Sequence, residues 1–121
     1  MKKILFLEDN AISRTCLAMT LEEEGYYVKN AKDGFLGLEI FNKEKFDLII
    51  TDLKMPVIDG KEVYSRVREI EKINNRKQVP FIILSGKEQP DFMNDKNVHF
   101  IMKPVDIDIL LNKISLLLNE I

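Results

Sequence analysis

The sequence is poor in cysteine and histidine and has no large excess of charge of either sign. Its one cysteine, Cys16, cannot form an internal disulfide, and its place in an apolar helical pattern predicts a small buried side chain in a cytoplasmic protein. The single histidine, His99, falls in a predicted strand and is expected at a strand edge rather than as a ligand. Because 18 basic side chains nearly balance 20 acidic ones, no basic surface for direct nucleic-acid binding is indicated.

Long hydrophobic runs and linkers are also absent. The first apolar run, residues 4–7, stops at Glu8, so it is too short for a secretory signal, and no other run is long enough for membrane insertion. No repeat, low-complexity tract or Gly/Ser linker divides the chain. With 45% hydrophobic residues in 121, we expect a single core and a single domain over residues 1–121.

Short apolar runs alternate with segments of helical periodicity. Consecutive apolar positions indicate strands covered on both faces, as in a parallel sheet. The predicted strands are residues 3–7, 26–30, 46–51, 79–84 and 98–102. The predicted helices are residues 11–24, 34–42, 61–72, 106–120 and a weak one at 89–97. Five β-α pairs in a chain of this length favour an open three-layer α/β sheet over an incomplete barrel.

The ends of two predicted helices carry local signals. Gly25 stands where a left-handed cap would end the first helix, and Asp33 stands where a side-chain acceptor would begin the second. In the last helix, Ile109 and Leu116 fall opposite the main apolar face and are expected to be exposed. They suit a partner or homodimer surface, and isolated surface aliphatics are the ordinary alternative.

Polar residues end four of the five predicted strands. They are Glu8 and Asp9 after the first, Asp52 after the third, Ser85 after the fourth and Lys103 after the fifth. In open parallel sheets, sites form at the carboxyl ends of the strands. Three carboxylates there would repel one another without a cation, and oxygen ligands select a hard ion such as Mg²⁺, for which Mn²⁺ can substitute. Each acid alone is more simply a helix cap or loop residue, but the combination favours a site.

Four motifs carry a resemblance to a known family. They are Glu8-Asp9, "DLIITDLKMPVIDG" at residues 47–60, "IILSG" at 82–86 and "FIMKP" at 100–104. In this order and spacing, they resemble the receiver domain of two-component response regulators over essentially the whole chain. The resemblance implies a flavodoxin-like (βα)5 sandwich with a parallel five-stranded sheet in the order 2-1-3-4-5.

The resemblance also implies roles for the acidic residues. Asp52 would be the phosphoacceptor, taking a phosphoryl group from a phosphohistidine on a sensor histidine kinase or a histidine phosphotransfer protein. Asp9 and Asp52 would bind Mg²⁺ directly, Glu8 would bind it through water, and the backbone carbonyl of Lys54 would complete the protein ligands. The ion would neutralise charge on the transferring group.

Further roles are implied for the ends of the last two strands. Lys103 would pair with Asp52 before transfer and with a phosphoryl oxygen afterwards, while Ser85 would donate its hydroxyl to another phosphoryl oxygen. A cis peptide before Pro104 is expected in this family, and it would aim the ammonium group into the site.

A conformational switch follows from those contacts. Movement of Ser85 toward the phosphoryl group would leave space for Phe100, so phosphorylation would bias an existing equilibrium. It would change the face formed by the helix at 89–97, the strand at 98–102 and the helix at 106–120. The ordinary alternative for Phe100 is an aromatic side chain packed in the core.

Two features depart from the usual receiver pattern. Lys54 lies two residues beyond the phosphoacceptor, where a long cation could shield the acyl phosphate and prolong its lifetime. Lys87 would be a second basic residue at the rim of the site. The alternative is that both are solvated surface lysines. The interval from Ser85 to Lys103 is shorter than usual by roughly one helical turn. The helix at 89–97 is therefore expected to be short or irregular, since it contains Pro90 and several Asn and Asp residues.

Two other functions remain open from the residues. One is a phosphorylation-independent docking module with the same fold, and the other is a metal-dependent phosphatase-like enzyme that uses an aspartyl phosphate. Receiver chemistry is limited to the domain's own phosphorylation and dephosphorylation, so a conventional enzyme is not expected. If residues 1–121 are the whole protein, a stand-alone receiver would signal by binding a downstream protein target or by relaying the phosphoryl group.

Overall fold

The apolar runs form strands and the periodic segments form helices, with ends close to the predicted ones. The computed structural model describes residues 1–86 and 95–118. Within them the elements are β1 (Lys3–Leu7), α1 (Ala11–Glu23), β2 (Tyr27–Ala31), α2 (Gly34–Lys43), β3 (Leu48–Asp52), α3 (Gly60–Ile73), β4 (Phe81–Ser85), β5 (Val98–Met102) and α4 (Ile107–Leu117). The first and last strands begin and end as predicted. The last predicted helix corresponds to α4.

All strand pairs are parallel, in the order β2-β1-β3-β4-β5. The predicted α/β fold and strand order are therefore confirmed. In the register, Asp52 lies opposite Leu84, and Ser85 lies opposite Met102. The carboxyl ends of the three strands β3, β4 and β5 consequently meet at one edge of the sheet.

The core consists of two clusters, one on each face of the sheet. Because successive residues of a strand point to opposite faces, each apolar run supplies both clusters. The cluster against α2 and α3 includes Leu5, Leu7, Ile49, Ile83, Phe41 and Val67. The cluster against α1 and α4 includes Ile4, Phe6, Ile50, Leu84, Leu21 and Ile114. Double coverage explains why β1, β3 and β4 read as continuous apolar runs.

The helix starts follow side-chain capping. Each described helix begins after a residue whose side-chain oxygen accepts a hydrogen bond from the backbone N–H three residues later; these residues are Asn10, Asp33, Asp59 and Asp106. Gly25, with φ of 94°, adopts the left-handed conformation expected after α1. The predicted boundaries at Gly25 and Asp33 are thus confirmed.

The prediction of a buried Cys16 is wrong, because its side chain is exposed. Helix α1 packs on the sheet through Ala18 and Leu21, whereas Ile12 is 77% exposed. The outer face of α1 therefore also carries apolar residues, and the sequence pattern alone does not distinguish the two faces.

The predicted exposure of Ile109 and Leu116 is confirmed, at 57% and 72%, and their partner role stays a prediction. Most of the helix predicted at residues 89–97 lies outside the described residues, and the described residues 95–97 form a turn before β5. Within residues 1–86 and 95–118, no helix has the length and apolar character needed to cross a membrane.

Candidate functional site

Three carboxylate groups converge where β1 and β3 end. Glu8 and Asp9 follow β1, and Asp52 is the last residue of β3. One oxygen from each carboxylate lies within 4.8 Å of the others. Glu8 and Asp52 are buried, whereas Asp9 is exposed. Adjacent parallel strands that end at the same edge of the sheet thus bring Asp52 next to the consecutive acids Glu8 and Asp9, which are more than 40 residues away in sequence.

The ammonium group of Lys103 balances part of this negative charge. Its Nζ lies 2.5 Å from Oδ1 of Asp52 and 3.8 Å from Oε1 of Glu8. The backbone N–H of Lys103 donates to the carbonyl of Ser85 at 2.7 Å, and the peptide bond to Pro104 is cis, as expected. Lys103 therefore reaches the carboxylates from a backbone position joined to the end of β4.

The backbone that follows Asp52 is tightly held. The N–H of Leu53 donates to the carbonyl of Leu84 at 2.8 Å, and the N–H of Gly60 donates to the carbonyl of Leu53 at 2.7 Å. The Thr51 hydroxyl donates to the carbonyl of Asp52 at 3.0 Å. A Cβ atom on Gly60 would lie only 2.6 Å from that carbonyl oxygen. Glycine is therefore needed at the start of α3 for close approach to the end of β3.

The turn between β3 and α3 contains an unusual backbone conformation. Val57 has φ of 70°, a left-handed value that is unfavourable for a β-branched residue, and its side chain is 84% exposed. Beside it, Met55 and Ile58 are buried. The strain is thus located in an exposed residue between two buried anchors.

A cavity of about 280 Å³ opens beside Asp52. Its lining includes Lys54, Ser85, Gly86 and Lys103. The Ser85 side chain is buried and that of Lys54 is exposed. A small anionic group in this space would meet a carboxylate, an ammonium group and a hydroxyl group. Lys87, the second predicted rim lysine, lies outside the described residues.

The environment of Glu8 disfavours its ionised form. Burial raises the pKa of Glu8, and the nearby charge of Asp52 and a hydrogen bond with Asp9 also raise it. The backbone N–H of Asn10, which donates to Oε2 at 3.0 Å, and the charge of Lys103 act in the opposite direction. The pKa of Glu8 is raised overall, with burial as the largest cause.

The donor set suits a hard divalent cation. Among the described residues the cluster consists of carboxylates alone, with neither His nor Cys. Oxygen ligands of this kind favour Mg²⁺ or Mn²⁺, and the exposed carboxylate of Asp9 leaves an open side for water or a phosphoryl oxygen. The residues therefore fit the ion that the sequence predicts.

The remaining predicted residues lie on the edge strand β5. Phe100, half-buried, is opposite Ile83 in the register, and His99 is opposite Ile82. Burial lowers the pKa of His99, and the charge of Lys113 lowers it further. The position of His99 on this edge strand agrees with the predicted strand-edge role.

Sequence reasoning missed one residue that contacts this region. Arg14, in α1, donates from its guanidinium group to the backbone carbonyls of Glu8 and Asp9. The only signal in the sequence is a basic residue a few positions after the acidic pair, which also fits an ordinary surface position of an amphipathic helix.

The sequence matches a known family model. The model of the response regulator receiver domain matches residues 4–115. The CAI-1 autoinducer sensor kinase/phosphatase CqsS of Vibrio cholerae is 35% identical over 122 residues, covering 94% of this chain. The transcriptional regulatory protein GlrR of Escherichia coli is 33% identical over 116 residues. This chain spans 17% of the length of the first relative and 25% of the second.

Solved structures share the fold over nearly the whole chain. A CheY-like response regulator receiver domain protein from Methanospirillum hungatei has a TM-score of 0.86 at 28% identity, covering 99% of this chain and 95% of its own. TrrA of Thermotoga maritima, solved in complex with Mg²⁺-BeF, has a TM-score of 0.80 at 30% identity, covering 97% and 99%. The receiver domain of Saccharomyces cerevisiae Ssk1, solved with the histidine phosphotransfer protein Ypd1, has a TM-score of 0.82 at 26% identity, covering 94% and 86%.

Proposed function

The chain belongs to the response regulator receiver family of two-component signalling, and from that premise we propose that it is a phosphorylation-activated switch with Asp52 as phosphoacceptor. A receiver domain is a signalling module rather than a catalytic enzyme. The observation that carries the proposal is the environment of Asp52, whose buried carboxylate lies 2.5 Å from the Lys103 ammonium group and belongs to the cluster with Glu8 and Asp9.

In the proposed reaction, a carboxylate oxygen of Asp52 attacks the phosphorus atom of a phosphohistidine. The new O–P bond forms as the P–N bond breaks, and the leaving nitrogen keeps the electron pair of that bond. With a proton on its other nitrogen, the donor side chain leaves as neutral imidazole. The chain contributes mainly position and charge, which supply most of the catalysis of phosphoryl transfer.

Lys103 and Ser85 would hold the transferred group. Lys103 would exchange its contact with Asp52 for one with a phosphoryl oxygen, and Ser85 would donate its hydroxyl to another. Both residues line the cavity of about 280 Å³ beside Asp52, which supports these roles. The main-chain hydrogen bond between them, 2.7 Å long, keeps the two groups at adjacent strand ends.

Mg²⁺ is the proposed cofactor, and Mn²⁺ would substitute. Asp9 and Asp52 would bind it directly, Glu8 through water, and the Lys54 carbonyl would complete the protein ligands. When bound, the ion neutralises charge on the transferring phosphoryl group. Support comes from the all-carboxylate cluster and from the TrrA complex with Mg²⁺-BeF.

The proposed output is a shift in the face that includes β5 and α4. Attraction of Ser85 to the phosphoryl group would open space for the ring of Phe100, so the modified protein would favour the inward ring. The half-buried position of Phe100 on an edge strand supports this role. Lys54, exposed at the cavity, and Lys87 would shield the acyl phosphate and lengthen its lifetime.

The proposed phosphodonor is a sensor histidine kinase or a histidine phosphotransfer protein in the cytoplasm. The Ssk1 receiver domain, which shares this fold, was solved with such a phosphotransfer protein. This chain spans only part of the length of these relatives. The proposal of a downstream protein target is therefore independent of the proposed chemistry of Asp52.

Incubation with Mg²⁺ and acetyl phosphate, followed by intact mass spectrometry, tests the proposal. We expect the wild type to gain one phosphoryl group and Asp52→Asn to gain none. A wild type that stays unmodified with both acetyl phosphate and a phosphorylated phosphotransfer protein would favour a docking module instead. Sustained turnover of a small phosphomonoester would favour a phosphatase-like enzyme.

A further inference from the structure

The turn between β1 and α1 is held by a side chain that the proposed reaction does not use. Arg14, in the first turn of α1, donates from Nη1 to the backbone carbonyl of Glu8 at 2.9 Å and to that of Asp9 at 3.4 Å. One guanidinium nitrogen thus bridges two adjacent carbonyls. The side chains of the same two residues belong to the carboxylate cluster.

Other bonds fix the residues on each side of Asp9. The N–H of Glu8 donates to the carbonyl of Ala31 at 3.1 Å, and Oε2 of Glu8 accepts from the N–H of Asn10 at 3.0 Å. Asn10 in turn caps α1 by accepting from the N–H of Ser13 at 2.9 Å. Arg14 adds a contact to the backbone carbonyl of the exposed Asp9.

We propose that Arg14 is a positioning residue for the magnesium site. By holding the two carbonyls, it keeps the turn in the conformation that directs the carboxylates of Glu8 and Asp9 toward a common ion. Without the ion these carboxylates repel each other, so a turn without Arg14 would relax to separate them. Ion binding would then have to reorder the turn, which weakens affinity. The inference rests on the magnesium site of the proposed function.

The sign of the effect distinguishes positioning from simple electrostatics. A guanidinium group is a permanent positive charge, and by charge alone it would oppose the binding of a nearby cation. Removal of Arg14 would therefore strengthen Mg²⁺ binding if charge were its main influence. A positioning role predicts weaker binding, because residues that orient metal ligands typically contribute about tenfold or more to affinity.

Isothermal titration of the whole chain with Mg²⁺ tests the proposal. We expect the Kd of Arg14→Ala to rise about tenfold, and that of Arg14→Lys to rise less, because lysine keeps the charge but lacks the guanidinium fork. Arg66→Ala is the matched control, since Arg66 is an exposed arginine of α3 paired with Glu62. It removes the same charge and should leave the Kd unchanged.

The Mg²⁺ dependence of phosphorylation by acetyl phosphate gives a second readout. Arg14→Ala should need about tenfold more Mg²⁺ for its half-maximal rate, whereas its rate at saturating Mg²⁺ should stay within about twofold of wild type. An equal loss of rate at every Mg²⁺ concentration would overturn the positioning role.

An unchanged or lower Kd in folded Arg14→Ala would also overturn the inference. If Arg14→Ala does not fold, the Kd of Arg14→Lys for Mg²⁺ tests the inference instead. A Kd equal to that of the wild type would overturn it. A wild type that is phosphorylated on Asp52 without binding Mg²⁺ would overturn the inference and the proposed cofactor but leave Asp52 as the phosphoacceptor of a switch. Conversely, Arg14-dependent Mg²⁺ binding without phosphorylation would support the inference and remove the proposed function.

Discussion

The hydroxyl group of Tyr64 in α3 donates a 2.5 Å hydrogen bond to a carboxylate oxygen of Asp95, just before β5. The same oxygen accepts from Nε of Arg68 at 3.4 Å, and Nη1 of Arg68 pairs with Glu71 at 2.8 Å. Glu71, only 2% exposed, also accepts from the N–H of Val79 at 2.8 Å. This polar network joins α3 to the segments that lead into β4 and β5.

Arg68→Ala should destabilise the fold by about 3 kcal/mol, because it leaves the buried Glu71 carboxylate without its cation. Urea unfolding followed by circular dichroism measures the loss. The matched control is Arg66→Ala, whose ion pair with Glu62 is about half exposed and should contribute at most about 0.5 kcal/mol. Equal losses in the two variants would contradict a special role for the network.

The network should also affect how the free energy of unfolding changes with pH in acidic solution. Burial alone would raise the pKa of Asp95, but hydrogen bonds from Tyr64 and Asn97 and the charge of Arg68 lower it below the ordinary 3.8. As pH falls, the Asp95 carboxylate therefore takes up a proton in the unfolded chain before it does so in the folded protein. The stabilisation is present above the pKa of Asp95 in the unfolded chain and is lost as pH falls through its pKa in the folded protein. In urea unfolding between about pH 5 and 2, Asp95→Asn should lose less stability than wild type; parallel curves would refute this.

The left-handed conformation of Val57 predicts a stabilising substitution. Val57→Asn should raise stability by about 1 kcal/mol, since asparagine tolerates this conformation and the exposed valine loses few contacts. Asn75 supplies the reciprocal control, because it has φ of 53°. Asn75→Val should lower the free energy of unfolding by a similar amount, which thermal unfolding of both variants measures. Higher stability in both variants would be inconsistent with relief of strain.

Gly60→Ala should both destabilise the fold and slow phosphorylation. The added methyl group would lie 2.6 Å from the carbonyl oxygen of Asp52 and 3.0 Å from Cα of Leu53, so the end of β3 must move. We expect a loss of about 2 kcal/mol in urea unfolding. Gly86→Ala is the stability control, since among residues 1–86 and 95–118 nothing lies within 4 Å of its added Cβ, and it should change stability by less than about 0.5 kcal/mol.

Lys54→Ala tests the proposed control of acyl phosphate lifetime. Loss of the cation would open the approach of water to the phosphoryl group, so we expect dephosphorylation to accelerate roughly fivefold, equivalent to about 1 kcal/mol. After removal of the phosphodonor, intact mass spectrometry gives the decay rate. Lys61→Ala, in α3, is a charge-matched control, and an unchanged rate in Lys54→Ala would remove Lys54 from the proposal.

The elements and the acidic cluster could be predicted because their signals are local or periodic. Uninterrupted apolar runs predicted the two-sided burial of β1, β3 and β4, and the polar residues at strand ends predicted where Glu8, Asp9 and Asp52 would meet. The strand order itself came from the family resemblance. Caps such as Asp33 were predictable since they act on N–H groups only three residues away.

Contacts that no motif or periodic pattern marks could not be predicted. Tyr64 and Asp95 are 31 residues apart, and their hydrogen bond depends on how α3 lies on the sheet. The contacts of Arg14 depend on the path of the β1 turn, and a lone arginine near a helix start carries no such information. Cys16 was misassigned because both faces of α1 carry apolar residues, so packing alone decides which is buried.

The main-chain hydrogen bond from Lys103 to Ser85 makes the ends of β4 and β5 one unit with few internal degrees of freedom. An incoming phosphoryl group would therefore meet an amine and a hydroxyl whose backbone positions are already fixed relative to each other by folding. Less conformational entropy then remains to be lost on modification than if each group sat on an independent loop. The free energy released by the new contacts would consequently be available for the proposed shift of the Phe100 ring rather than for ordering the site.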